Sequence, residues 1–458
     1  MVNKYHNDPY NFSIEYKRKD ATRKISKDIE DSIMKELTIE KKLIADPEVP
    51  LRSYNYSYIK DRLLSVYDQR VSAPTIINLH NYREAYYMTN RERIKAIFNY
   101  KDYDRLPVVH FGYWEKTLEK WCDEKHIKRS EIDGLSDGNE KDRALAEKLG
   151  FDFNWFTVFG ENTLLMPEFE REILEELPDG KLKVINADGL IVLEKTGVTS
   201  IPAQVDYLLK NRKVWEEYYL PKLQYKDERV CMSTLKILAE EHERENILGI
   251  YCGSLFGSLR NLMGVQGVSY LYSDDEGLYD EMINTIGELS FRVVERILTI
   301  YSDFDFAHFW EDICFKNGPL INPSVFYEKV GPHYKRITDL LRNYGINIVS
   351  VDCDGKIDSL IPAWIENGVN TMFPIEVGTW GANIRPWREK YGRKLRGVGG
   401  VDKKVFGYNY AAIDREIERL KPLVEIGGYI PCPDHRIPPD AKWENVQYYC
   451  DRMRKVFG

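Results

Sequence analysis

The sequence predicts an α/β fold, a (β/α)8 barrel, and three observations carry that prediction. Short apolar runs alternate with longer amphipathic stretches along most of the chain, which is the rhythm of parallel strands joined by helices. From Ile346 to Lys404 one unit recurs. Ile346 to Val351 runs into Asp352-Cys353-Asp354-Gly355, Thr371 to Ile375 into Glu376-Val377-Gly378, and Leu395 to Val398 into Gly399-Gly400-Val401-Asp402. Eight strand candidates in all fall within roughly 370 residues, as an eight-stranded barrel needs. The alternative, an open doubly wound sheet, leaves two of them unaccounted for.

Taken in order, residues 1–87 carry mixed charge and helical patches such as Ala21 to Ile44, then a tyrosine-rich connector from Tyr54 to Tyr58. They read as a mostly helical extension that packs on the main domain or on a second copy in a homodimer. Residues 88–458 read as the barrel and catalytic domain. Thr89 stands three residues before Glu92, a capping-box spacing that opens a short helix. Leu106 to Phe111 is the first strand, and His110, Tyr113 and Trp114 place polar and aromatic groups at its end. Helices are expected over Glu115 to His126 and Asn139 to Leu149, and a second strand over Phe151 to Val158. Pro178-Asp179-Gly180 and Asn186-Ala187-Asp188-Gly189 are turn signals between β-rich runs, so residues 172–196 read as a β-hairpin insertion. Ile247 to Cys252 and Phe304 to Phe309 are further strands, separated by helical stretches at Ser254 to Met263 and Asp275 to Ile300. A helix over Val325 to Asn343 leads into the repeated units, and Gly428 to Pro431 is the last strand.

Composition removes several classes of function. No apolar run approaches the roughly 20 residues a membrane span requires, and the first residues show no apolar signal core, so no membrane role and a cytoplasmic location are expected. A net charge of -8 argues against a nucleic-acid surface, which needs clustered Lys and Arg. Seven cysteines, odd in number and scattered, suggest reduced thiols rather than a disulfide framework.

In parallel α/β sheets the residues just past the strand C-termini converge on one rim, where ligands bind. Asp352, Asp354, Glu376 and Asp402 fall there, as do Glu311 and Asp312 after Phe304 to Phe309. Paired carboxylates at a strand end are costly to bury without a metal, a proton or a cation. Asp352 and Asp354 also have the spacing of helix caps, and Cys353, alternating with them, should face the core.

Four segments carry a family likeness: Met88 to Ala96, Asp104 to Val108, Gly399 to Lys403, and Gly427 to Asp440 with Glu444-Asn445. From residue 88 to the end the chain resembles the uroporphyrinogen decarboxylase-like superfamily, most specifically in the last segment. The resemblance implies a (β/α)8 barrel and one of two chemistries: decarboxylation of a porphyrinogen, or zinc-dependent methyl transfer with a corrinoid cofactor. The decarboxylases carry an arginine-rich loop after the first strand. This chain has His110-Phe-Gly-Tyr-Trp114-Glu-Lys there, which offers a polyanion no anchor. The methyltransferases place a His-x-Cys-Gly motif after the fifth strand. Aligned on glycine, Asp352 takes the His position and Asp354 the Cys position, with His435 near the third ligand. The likeness therefore implies zinc at Asp352, Asp354 and His435, with Cys432 as a further candidate.

An oxygen/nitrogen ligand set suits polarising an ether oxygen better than activating a thiol. The chain so resembles the O-demethylase branch, in which a corrinoid (cobalamin-type) protein partner accepts the methyl group of a small-molecule donor. Glu311, Asp352 and His435 are the expected catalytic groups. His110, Tyr113, Trp114, Trp155, Trp310, Glu376 and Trp380 are the expected substrate-binding residues. The competing reading is a cofactor-free decarboxylase or lyase acting on a carboxylated small molecule with the same acid/base groups.

Overall fold

The computed structural model describes residues 88–458 apart from 161–162, 196–201 and 241–243. The expected extension over residues 1–87 lies outside the described residues. Residues Thr89–Arg454 form one compact unit.

Its centre is a parallel sheet. Strands β1 (Val109–His110) and β2 (Phe153–Asn154) pair in parallel. Seven further strands form a continuous parallel ladder: β3 (Val158–Phe159), β8 (Gly249–Tyr251), β9 (Phe306–Trp310), β12 (Val349–Asp352), β13 (Thr371–Ile375), β14 (Arg396–Val401) and β15 (Tyr429–Pro433). The ladder follows chain order, as strand-helix units of one hand produce. Tyr113 and Ile437 form a parallel bridge, and Ile437 N donates to Gly112 O at 3.0 Å. The segments after β1 and β15 therefore meet.

The expected second strand is broken between β2 and β3. Asn154 causes the break: its side-chain oxygen accepts from Phe156 N at 2.9 Å and its carbonyl from Thr157 Oγ1 at 2.7 Å. A side chain that offers the backbone a local partner competes with the ladder. Between β3 and β8 lies a separate antiparallel sheet of four strands, β4 (Glu172–Glu176), β5 (Lys181–Ile185), β6 (Leu190–Lys195) and β7 (Ala203–Tyr207). A two-stranded antiparallel pair, β10 (Cys314–Phe315) and β11 (Gly318–Pro319), follows β9.

Helices α1 (Asn90–Phe98), α2 (Phe256–Asp274), α3 (Glu276–Leu298) and α4 (Gly331–Asn343) are the ones the site depends on. Thr89 and Glu92 close a capping box at the start of α1. Among the described residues no helix is long and apolar enough to cross a membrane.

One ion pair ties β1 and β2 from below. Asp152 accepts from Arg105 Nη1 at 2.7 Å and Nη2 at 2.8 Å, and from Val108 N at 2.7 Å. Burial alone would push its carboxyl up, but Arg105 and Arg454 outweigh it and hold it down at about 2. A depressed carboxyl stabilises the fold above its unfolded value and loses that contribution as pH falls through about 2. Asp152→Asn should therefore cost about 2 kcal/mol at pH 7, shrinking toward zero near pH 2. Denaturant titrations at several pH values check this; a penalty independent of pH would show that packing, not charge, is what Asp152 supplies.

Candidate active site

The C-terminal ends of β9, β12 and β15 bring Asp312, Asp352, Asp354 and His435 together. Pairing in register sets the arrangement: Asp352 stands opposite Trp310 on β9 and Phe373 on β13, so these three side chains share one face of the sheet.

Asp352 is only 5% exposed, and its carboxyl makes no hydrogen bond among the described residues. Burial pushes it far above the usual carboxylate range, and Asp354 and Asp312 push it further. This environment favours its protonated form.

Asp354 is half-buried. Its Oδ2 lies 3.5 Å from His435 Nε2, and its Oδ1 is buried without a partner among the described residues. Asp312 adopts a left-handed backbone, φ 47°. Arg260 of α2 donates to it from Nη1 at 3.1 Å, yet burial and Asp354 keep its carboxyl raised.

His435 is oriented by its own loop. Arg436 N donates to Nδ1 at 2.8 Å, which leaves the ring proton on Nε2, facing Asp354. Trp114 stacks on the imidazole, centroids 5.3 Å apart and planes at 6°, and Phe111 packs at 5.6 Å. Arg436 is fixed by Asp137, with Nη1 to Oδ1 at 3.1 Å. Trp310 lies beneath Arg260, 5.4 Å from its guanidinium. Asp312, Asp352, Asp354, His435, Arg260, Trp114 and Trp310 are thus one constellation.

The other expected site residues lie elsewhere. Glu311, expected as a catalytic carboxylate, is instead a cap. It accepts from the backbone N–H groups of Leu255, Phe256 and Gly257 at 2.9, 3.0 and 2.6 Å, and from the Tyr334 hydroxyl. The orphan donors at the start of a helix explain its burial. Glu376 is buried and accepts from Gly355 N at 2.8 Å and from the Thr379 hydroxyl. It therefore shapes the loop that carries Asp354. Asp402 caps the turn after β14, accepting from Lys404 N at 3.1 Å.

His110, Tyr113 and Trp155 are in the core rather than on the rim. His110 is fully buried, its Nδ1 accepting from Gly112 N at 3.1 Å, and burial lowers it to about 4. Tyr113 packs on His110 and Trp121. Trp155 is stacked on Phe306 at 4.7 Å. Trp380 is half-buried against Trp387 at 6.1 Å. Cys432 is fully buried, and burial pushes its thiol far up, which disfavours the thiolate a metal would need.

Zinc at Asp352, Asp354 and His435 does not fit this arrangement. An imidazole that binds metal through Nε2 carries its proton on Nδ1 and donates it, whereas here Nδ1 accepts from Arg436 N. Among the described residues no three His, Cys, Asp or Glu side chains are grouped as metal ligands. The raised carboxyls of Asp352 and Asp312 suit a proton instead.

Arg260, Asp434 and Arg436 belong to the site or its support and were not anticipated. Asp434 is fully buried and accepts from Gly378 N at 2.5 Å and Lys403 N at 3.3 Å, tying the loops after β13 and β14 to the one bearing His435. Its place one residue before His435 was the available signal. Arg260 has none, since only the fold brings α2 to Asp312.

No protein-family model matches the chain, nor does any curated protein. Among solved structures, a methyltransferase from Methanosarcina mazei is 15% identical, covers 81% of this chain and 99% of its own, and superposes with a TM-score of 0.53. A B12-independent methionine synthase from Shewanella sp. W3-18-1 (10% identical, 77% and 98% covered, TM-score 0.40) and a putative vitamin-B12 independent methionine synthase from Listeria monocytogenes (12%, 50% and 71%, 0.32) are more distant. Only the first bears on the argument. It shows the fold: this chain has a TIM-barrel-like architecture.

Proposed function

We propose that the chain is a methyltransferase that takes the methyl group from a small methyl ether and passes it to a cobalamin-type corrinoid carried by a partner protein, on a closed (β/α)8 barrel. The observation that supports this reading best is the Asp352 carboxyl, buried, without a hydrogen bond among the described residues, and facing Asp312 and Asp354. An ether resists demethylation because its leaving oxygen is basic; a proton delivered as the C–O bond breaks removes that obstacle. The Methanosarcina likeness supports methyl transfer as the class of reaction.

The corrinoid, when bound, supplies the nucleophile that accepts the methyl group. This chain does the rest. The electron pair of the broken C–O bond goes to oxygen, the Asp352 proton goes with it, and the product is an alcohol or phenol. Asp352 recovers a proton from solvent by way of Asp354 and the His435 Nε2–H. Trp114, Trp310 and Phe111 supply flat apolar surface for the ether's organic part.

The test is to incubate the chain with reduced cobalamin and aromatic methyl ethers, following methylcobalamin by absorbance and the demethylated product by chromatography. Equal amounts of both, undiminished by a chelator, are expected. About one zinc per chain by elemental mass spectrometry, lost in His435→Ala together with activity, would replace the proton donor by a metal. Release of carbon dioxide from a carboxylated compound, with no methylcobalamin, would turn the assignment to a lyase.

A further inference from the structure

One layer beneath the acidic rim the sheet carries polar atoms with no partner among the described residues. His308 on β9 and Ser350 on β12 stand opposite each other in register, two residues before Trp310 and Asp352, which are likewise opposite each other. Side chains two apart on a strand share a face and lie about 6.6 Å apart along it. His308 and Ser350 therefore sit directly below Trp310 and Asp352, on the same side. Both are 0% exposed. Among the described residues neither ring nitrogen of His308 has a hydrogen-bond partner, and neither does Ser350 Oγ. Nearly every buried polar atom of a folded protein is paired, with protein or with a bound molecule, so three in one layer need an occupant.

Their surroundings describe it. Aromatic rings enclose His308: Phe156 edge-on at 5.1 Å, Phe373 at 5.9 Å and Phe306 at 6.3 Å. Phe111 meets Phe373 at 4.5 Å and also touches His435, so aromatic surface runs without a break from the rim to His308. One aromatic ring with substituents at opposite positions spans the step from the Asp352 level to the His308 level.

We infer that His308 and Ser350 form a hydrogen-bonding subsite for an uncharged polar group, a hydroxyl or carbonyl, at the end of the methyl donor opposite the ether. The inference rests on the methyl-ether reading of the rim. A carboxylate is the wrong occupant. Burial holds His308 down at about 3, so the imidazole is neutral and offers hydrogen bonds without the positive charge that a buried carboxylate needs.

Titration calorimetry with methoxybenzene, 4-methoxyphenol and 4-methoxybenzoate tests this without requiring turnover. The wild type should bind 4-methoxyphenol roughly tenfold more tightly than methoxybenzene, which is what one uncharged hydrogen bond contributes, and 4-methoxybenzoate most weakly. The ratio of phenol to methoxybenzene affinity should fall toward one in Ser350→Ala, which disturbs little volume, and in His308→Leu, and should be partly restored in His308→Gln. A ratio near one in the wild type, or one that both variants leave unchanged, overturns the subsite while methyl transfer, assayed separately with cobalamin, still stands. Binding by none of the three overturns the subsite as well, and binding by none with no methylcobalamin from any of them overturns both readings.

Discussion

Replacing Asp352 by asparagine should slow methyl transfer by about 10²- to 10⁴-fold, the contribution of a positioned proton donor, and at the same time make the folded chain more stable. The two effects have one origin. Burial and the neighbouring Asp354 and Asp312 raise the Asp352 carboxyl far above its ordinary value, so above about pH 4 the unfolded chain releases a proton that the folded chain keeps. A raised carboxyl contributes stability only below its unfolded value and costs stability as pH rises toward its folded one. Asparagine has nothing to release. The advantage of Asp352→Asn in denaturation midpoint should therefore grow from pH 4 upward, while the wild type alone transfers methyl groups. This is the trade between activity and stability expected of a destabilised active-site group. A variant with wild-type turnover would end Asp352's role as proton donor. A stability gain that did not vary with pH would mean that the amide packs better, not that a suppressed ionisation was removed.

What the sequence made legible depends on how local the cause is. The apolar runs and the turns after them are local, so Ile346 to Val351 with Asp352-Cys353-Asp354-Gly355 could be read as a strand end bearing two carboxylates, with Cys353 turned to the core, where it is buried. Thr89 and Glu92 are three residues apart, and their capping box was legible for the same reason. Glu311 was not. The three N–H groups it caps lie 54 to 56 residues earlier, at the start of a helix reached from the neighbouring strand, and no spacing in the sequence announces that meeting. Arg260 reaches Asp312 across 52 residues, and the same holds for it. Trp155 illustrates a different limit. It lies beside the break between β2 and β3, and the rotation there decides whether a large ring faces the rim or the interior. It faces Phe306 and Phe98, in the core. His110 and Tyr113 stand at a strand end as required of binding residues, but their rings close on one another and on Phe151 and Trp121. A pattern of residue types cannot separate a pocket wall from a buried aromatic cluster.

Glu311→Ala should be the most destabilising single change at the rim, by about 3–5 kcal/mol, the cost of stripping the partner from a buried charged network. Glu311 is fully buried, and it satisfies three consecutive backbone donors and the Tyr334 hydroxyl. Alanine leaves all four donors buried and unpaired, at the entry to α2 and beside α4. Burial wins over these hydrogen bonds in setting its ionisation, which is raised, so even the wild-type group strains the fold as pH rises. Glu311→Gln keeps one acceptor oxygen but turns an N–H₂ toward backbone N–H groups, and should lose less, about 1–3 kcal/mol. The outcome separates a cap from a catalyst. As a cap, Glu311 governs the denaturation midpoint, and the fraction of Glu311→Gln that remains folded keeps the wild-type pH profile of methyl transfer. A Glu311→Gln chain as stable as the wild type but inactive would put the proton donor at β9 instead of β12, and would return Glu311 to the reaction in place of Asp352.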